Sequence, residues 1–235
     1  RHLLLATLRE QGHIQRVEMS GRDRHGKHLE VEISFEPIEL DNTQCLLVTA
    51  RDISELKAAQ QQIQHLAYHD PLTSLPNRAL LMDRLTQQIA LLQRHGLRGA
   101  LLFLDLDHFK HINDSLGHPF GDAVLKLITA RLEVSVREED TVARLGGDEF
   151  VVLLTGLEGT LEEVISHAGQ AAEKLRTLLS EPMLLEGHRL QVTPSIGIAL
   201  IPDHGQTPAD LLKRADIALY RAKDSGRNAI QLFHN

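Results

Sequence analysis

The chain has 235 residues, 42% of them hydrophobic, a single cysteine, Cys45, and a formal net charge of −7. That length holds one substantial domain and a smaller element. The acidic balance excludes a nucleic-acid-binding footprint, the lone cysteine excludes an internal disulfide and fits a reducing, cytoplasmic compartment, and no stretch approaches the roughly 20 apolar residues of a membrane span, so no membrane contact is expected.

The N-terminal part has its own pattern. Leu29, Val31, Ile33 and Phe35 alternate with Glu30, Glu32, Ser34 and Glu36, which predicts an antiparallel strand with one wet face. The segment from Arg22 to Gly26 is the preceding turn, and a second strand over 44–50 follows a polar turn at Asp41 and Asn42. Together with Asp52-Ile-Ser-Glu-Leu-Lys57, residues 1–52 resemble the C-terminal part of a PAS sensor domain and its exit motif. The alternation by itself also fits an unrelated three-stranded cap. Residues 53–69 are predicted as a helix. Asp52 and Glu55 form its N-terminal cap, and Leu56, Ala59, Ile63 and Leu66 recur at spacings of three, four and three. Asp70-Pro71 stops it. Its apolar seam reads either as a signalling helix that pairs two subunits or as a connector packed on its own chain.

From residue 70 onward, strand and helix signals alternate. A helix over 78–95 precedes a strand over 99–105, and a helix over 120–136 precedes a hairpin around Gly146-Gly147. Then come a helix over 160–179, a strand over 189–201, a helix over 208–224 and a short strand over 229–233. The order after the first helix is βαββαβ, an α/β (α+β) fold with a ferredoxin-like or polymerase-palm sheet flanked by helices. The N-terminal antiparallel remnant and the connecting helix lie outside that unit.

Chemistry is concentrated in two acidic pairs. In Arg144-Leu-Gly-Gly-Asp-Glu-Phe150, the glycines let the backbone turn tightly and admit a bulky ligand. Asp148 and Glu149 then begin a buried strand. The run Leu101-Leu-Phe-Leu-Asp-Leu-Asp107 suits a buried central strand, with Asp105 and Asp107 on one face. A carboxylate in such a strand costs several kcal/mol unless it is paired or metal-bound. If the two segments are neighbours, Asp105 and Asp148 converge on a magnesium-type site of carboxylates, a backbone carbonyl and phosphate oxygens. Salt bridges to Lys110 and Arg144 are the alternative.

These segments, in this order, resemble the GGDEF family of diguanylate cyclases. The similarity runs from Tyr68 to the C-terminus. It takes in Asp70-Pro-Leu-Thr-Ser-Leu-Pro-Asn-Arg78, with Ser74 where glycine is usual, then Asp105-Leu-Asp-His-Phe-Lys110, Asn113, Gly117-His-Pro-Phe-Gly-Asp122, the signature at 144–150, and Lys223-Asp-Ser-Gly-Arg-Asn228. The resemblance implies an enzyme that joins two GTP molecules into cyclic di-GMP and releases two pyrophosphates. It implies Mg2+ (or Mn2+) held by the carboxylates of Asp105 and Asp148 and the carbonyl of Leu106. Glu149 is then either a further metal ligand or the group that deprotonates the ribose 3′-hydroxyl, and both roles stay open. Gly146 and Gly147 belong to the catalytic turn.

Asp122 is expected to accept from the N1–H and N2–H edge of guanine, with Asn113 as its neutral partner; capping the following helix is the other role of a Gly-Asp pair. Lys110, Lys223 and Arg227 correspond to phosphate contacts, joined by backbone amides at His108 and Phe109. One site holds one GTP, so the resemblance implies a homodimer in which the 3′-hydroxyl of one GTP attacks the α-phosphate of the other. Arg137 and Asp140 match the RxxD motif of the family's product-inhibition site, five residues ahead of Gly146. Lys174 stands where some members carry a further arginine. Without the resemblance, RxxD reads as a surface ion pair at i and i+3. A non-catalytic module that binds GTP or cyclic di-GMP and controls an adjacent EAL-type phosphodiesterase is the alternative function.

Overall fold

The computed structural model describes residues 14–185 and 187–234. Two compact units divide between His65 and Leu66. Residues 1–13 of the PAS-like segment lie outside the described residues.

The first unit is a three-stranded antiparallel sheet in the order β1 (Ile14–Arg22), β2 (His28–Leu40), β3 (Thr43–Asp52). The β2–β3 hairpin turns on Asp41 and Asn42, both left-handed at φ 50° and 59°. A two-residue loop of that hand matches the twist of the strands, and Asp and Asn tolerate it best after glycine. The count of three strands is that of the three-stranded cap reading, but no bounds were read for β1. A register shift between Ile14 and Val17, with Arg16 at φ 54°, breaks its alternation.

Helix α1 (Ser54–Tyr68) opens with Asp52 accepting from the Ser54 N–H at 2.9 Å. Ile53 is buried, and Lys57 pairs with Glu18 at 2.6 Å and Glu30 at 3.2 Å. No residue of α1 is buried, and Leu56, Ile63 and Leu66 of the seam are exposed.

The second unit is built on a five-stranded sheet in the order β10-β9-β4-β6-β5, comprising β4 (Arg98–Leu106), β5 (Thr141–Gly146), β6 (Glu149–Leu157), β9 (Pro194–Ile201) and β10 (Ile230–Leu232). The first four pair antiparallel, and β10 adds parallel to β9. That is the ferredoxin-like order expected from βαββαβ, with one strand added.

Strand β4 is central because it is apolar on both faces. Leu102 and Leu104 point into one core with Phe120, Val124 and Ile128 of α4 (His118–Glu133) and Val164, Ala168 and Leu175 of α5 (Leu161–Leu179). Leu101 and Phe103 point into the other, with Leu81, Leu85 and Ile89 of α2 (Arg78–His95) and Leu211 and Ala215 of α6 (Pro208–Asp224). Each fully buried leucine contributes about 1.5–3 kcal/mol. Helix α2 has the bounds read from the sequence because both ends are marked. Asn77 accepts from the N–H groups of Ala79 and Leu80, and Gly96 closes it at φ 64°.

Two expectations need correction. The helix placed over 120–136 is α4 and starts two residues earlier, with Pro119 in its first turn. A separate helix, α3 (Phe109–Leu116), precedes it across Gly117 at φ 88°. The strand placed over 189–201 is two strands, β8 (His188–Leu190), which pairs with β7 (Met183–Leu185), and β9. The ladder breaks between them where Thr193 turns to Asp107: its carbonyl accepts the Asp107 N–H at 2.7 Å and its hydroxyl donates to the Asp107 carboxylate at 2.8 Å.

Candidate active site

The acids meet at one end of the central pair of strands. Asp105 of β4 lies directly opposite Glu149 of β6, and the Leu106 N–H donates to the Asp148 carbonyl at 3.4 Å. Lys223, in the last turn of α6, places its ammonium 2.7 Å from Asp105 Oδ2. Burial, and then the charges of Asp148 and Asp107, raise the Asp105 carboxyl above the usual range despite that lysine. Burial raises Glu149 too, followed by the charges of Asp105, Asp148 and Asp216.

A cation beside these acids relieves both effects. The donors at hand, two carboxylates and the Leu106 carbonyl, are hard oxygens of the kind Mg2+ and Mn2+ prefer. Among the described residues no three His, Cys, Asp or Glu side chains cluster to hold an ion by themselves. A cation held here would draw on the Leu106 carbonyl besides the carboxylates. The two alternative salt bridges do not form: Lys223 takes Asp105 instead of Lys110, and Arg144 is committed elsewhere. Asp107, expected on the same face as Asp105, has a separate set of bonds, to Thr193 just before β9, to Ser195 within it and to Asn228.

Arg144 clamps the Gly-Gly turn. Its Nε and Nη2 donate to the Gly147 carbonyl at 3.0 and 2.6 Å, and its Nη1 donates to Asp70 at 2.8 Å. Gly147 sits at φ 52° with open space around it, so backbone freedom and not crowding demands glycine there. Asp70 also accepts from the N–H and hydroxyl of Thr73. Burial acts to raise Asp70, but the bonds from Thr73 and Arg144 outweigh it and hold the carboxyl below the usual range. Ser74 occupies a left-handed conformation at φ 60°. Sequence reading treated Arg144 only as a competitor for the acids. Its signal was an arginine inside an otherwise apolar strand, where a buried guanidinium requires fixed partners.

The Asn113 amide on α3 lies against Gly121 of α4, the residue before Asp122, and the sequence reading did not single that glycine out. A Cβ at Gly121 would collide with Asn113 Oδ1 and press on Phe109, so glycine there lets the two helices close around the amide. The signal was a glycine inside a helical stretch. Asp122 lies past the first turn of α4, whose N-cap is Gly117, so the capping role is excluded. His108 is the left-handed N-cap of α3, at φ 59°, with no side-chain cap bond. The amides at the start of α3 therefore lack a side-chain cap, as anion binding there requires. Phe109 is buried and Lys110 exposed; Arg227, also exposed, lies in the loop after α6 at φ 64°.

Arg137 and Asp140 do not form the ion pair expected of an isolated RxxD. The Asp140 carboxylate accepts backbone N–H groups of Arg137 and Thr155, each at 3.1 Å, and the Arg137 guanidinium approaches Glu139 at 3.8 Å. Both residues line a cavity of about 730 Å³ together with Thr155, His167, Gln170 and Lys174. Lys174 donates to the Ser135 carbonyl at 2.9 Å across it.

A family model described as diguanylate cyclase, GGDEF domain, matches residues 67–229. MucR of Pseudomonas aeruginosa, a bifunctional diguanylate cyclase/cyclic di-GMP phosphodiesterase, is 45% identical over 182 residues, which are 77% of this chain and 26% of MucR. The chain spans less than half the length of the first curated relatives it matches. The solved GGDEF domain of TpbB (YfiN) from the same organism superposes with TM-score 0.67 at 44% identity, covering 71% of this chain and 94% of that one. The coiled coil and GGDEF domain of DgcB from Caulobacter crescentus, solved with c-di-GMP, gives TM-score 0.66 at 28% identity over 77% of this chain and 93% of that one. With its acids converging beside the Gly-Gly turn and a family match over most of its length, the chain belongs to the GGDEF-domain diguanylate cyclases.

Proposed function

We propose that this chain condenses two GTP molecules into cyclic di-GMP and two pyrophosphates as a homodimer, with one GTP in each subunit. The observation that carries this reading is the placing of Asp105 opposite Glu149 and beside the Asp148 backbone, just ahead of the uncapped start of α3, with Lys223 on Asp105. Asp122 accepts two parallel bonds from guanine, and Asn113 reads the edge beside it. Adenine lacks that donor pair and leaves the carboxylate unpaired. Lys110, Arg227 and the amides of His108 and Phe109 hold the triphosphate, and Lys223 turns from Asp105 to a phosphate oxygen.

Asp105, Asp148 and the Leu106 carbonyl are the residues that would hold Mg2+ or Mn2+; when bound, such an ion neutralises charge on the α-phosphate and acidifies the attacking hydroxyl. Glu149 is placed either to join that ligand set or to accept the 3′-hydroxyl proton. The 3′-oxygen of the GTP in one subunit attacks the α-phosphorus of its partner, the α–β bond breaks and pyrophosphate leaves. Repeating the step with roles exchanged closes the ring. Positioning and electrostatics supply most of the acceleration.

Cyclic di-GMP is also the inhibitor in this reading, bound in the cavity of Arg137 and Asp140, where Lys174 supplies a second cation. Residues 1–52 act as a PAS-like input passed through the α1 segment to a catalytic unit in the cytoplasm. The bifunctional relative keeps a second reading in view, a GTP-binding regulator of a neighbouring phosphodiesterase; retention of both metal acids and of the phosphate cations favours the cyclase. The test is nucleotide choice. GTP is expected to turn over and ATP not, and Asp122→Ala is expected to raise the KM for GTP about 10- to 100-fold while leaving the fold intact. Equal turnover of ATP and GTP by the parent chain would overturn the guanine assignment.

A further inference from the structure

Asp107 stands one residue before the start of the phosphate loop, yet none of the chemistry above uses it. It is buried, and its oxygens are committed. Oδ1 accepts the Ser195 hydroxyl at 2.7 Å, and Oδ2 accepts the Thr193 hydroxyl at 2.8 Å and the Asn228 N–H at 2.9 Å. That last bond reaches the loop after α6, where Arg227 and Asn228 are consecutive left-handed residues at φ 64° and 45°. L residues populate that region sparsely and stay there only when their surroundings hold them.

Two anchors do so here. The Asn228 backbone is tied to Asp107, and its side-chain oxygen accepts from Nη1 of Arg176 at 2.8 Å. Arg176 projects from α5 and is itself fixed by Glu173 at 2.6 Å. The Arg227 N–H completes the turn onto the Ala222 carbonyl at 3.2 Å. Arg227 is therefore presented from a loop whose next residue is gripped on both sides.

We propose that Asp107 and Arg176 are positioning residues, which act through Asn228 to hold Arg227 where it meets the GTP phosphates. The proposal rests on the reading of Arg227 as a phosphate contact. It also separates the two aspartates of the 105–107 motif: Asp105 faces the metal and Asp107, its oxygens spent, sets the loop.

The test is a double-mutant cycle on the KM for GTP, using the whole chain and saturating Mg2+. Asp107→Asn, Arg176→Ala and Arg227→Ala are each expected to raise KM about tenfold, with kcat changing less than about threefold, because uniform binding of the triphosphate is what they weaken. In an Arg227→Ala background, adding Asp107→Asn or Arg176→Ala is expected to change KM less than about twofold, since a positioning residue has nothing left to position. Multiplying effects would overturn the proposal while leaving Arg227 a phosphate contact. A GTP KM unchanged by Arg227→Ala would overturn the phosphate reading and the proposal with it. A higher Mg2+ requirement in Asp107→Asn would make Asp107 a metal ligand and likewise overturn it. Should Asp107→Asn fail to fold by circular dichroism, the Arg176→Ala arm decides, because that half-buried side chain grips Asn228 from α5 and its loss leaves the Asp107 bonds to Thr193 and Ser195 in place.

Discussion

At the scale of single residues, the site stores charge against itself. Glu149 is raised by burial and by Asp105, Asp148 and Asp216, so holding it ionised in the folded chain costs free energy without a cation nearby. The sign follows from linkage: an acid whose folded pKa exceeds its unfolded value destabilises the fold above the folded pKa, and the penalty vanishes below the unfolded pKa near 4.3. Glu149→Gln is therefore expected to raise the melting temperature by a few degrees at pH 7 in a chelating buffer, with the gain fading toward pH 4. Saturating Mg2+ should narrow the difference. A variant that melts lower than the parent at pH 7 in chelator would contradict this account.

The acids themselves were legible from apolar runs interrupted by carboxylates, and the structure sets Asp105 opposite Glu149 with the charge of Asp148 acting on both. The separate fate of Asp107 was not, because alternation reports only which face a residue is on. The hydroxyls that claim it, Thr193 just before β9 and Ser195 within it, lie 86 and 88 residues away. Gly121 was marked as a glycine inside a helical stretch, but its use was hidden for a related reason: it depends on where Asn113 lies, and α3 itself had not been read as a helix.

At the scale of elements, legibility followed the strength of local marks. Helix α2 carries an asparagine cap, a glycine stop and a regular apolar stripe, and its ends were found. Helix α3 has eight residues, begins after a left-handed histidine and ends at a glycine two residues before a proline, so its local signals resemble a loop. The division between β8 and β9 falls at Thr193, which bonds to Asp107, and at Pro194, which cannot donate to a ladder and so opens β9, a mark the continuous strand reading passed over.

One connection between elements gives a prediction about acid stability. Arg144 ties β5 to the segment around Asp70, with both side chains largely buried. Asp70 is held below the usual carboxylate range, so its contribution is present above the unfolded pKa near 3.9 and is lost as pH falls through the lower folded value. Removing one partner leaves a buried charge, so Arg144→Ala is expected to cost about 3 kcal/mol in urea melts at pH 7. Asp70→Asn should melt with less dependence on pH below about 4 than the parent does. Equal stability of Arg144→Ala and parent would mean the clamp does not hold the turn.

At the scale of the whole molecule, the proposed reaction makes one cyclic dinucleotide from two substrates and so needs two catalytic units, while the described residues hold one set of acids. Helix α1 offers Leu56, Ile63 and Leu66 to solvent in a heptad-like seam, the pattern expected of a helix that pairs with a second copy. If α1 tethers two subunits, specific activity depends on their effective concentration. Leu56→Lys combined with Ile63→Lys is then expected to make specific activity fall at least about tenfold more steeply on dilution, while GTP binding per subunit stays as in the parent. A double variant with the parent's concentration-independent activity would move the dimer contacts to another surface.

The most direct measurement is to incubate the purified chain with GTP and Mg2+, resolve the nucleotides by chromatography, and run Asp148→Ala alongside. The expected result is cyclic di-GMP with two pyrophosphates per molecule formed by the parent and none by the variant, both folded and both retaining GTP binding. Bound GTP that yields no cyclic di-GMP at any protein concentration, or a variant as active as the parent, would contradict the assignment of these acids to the chemistry.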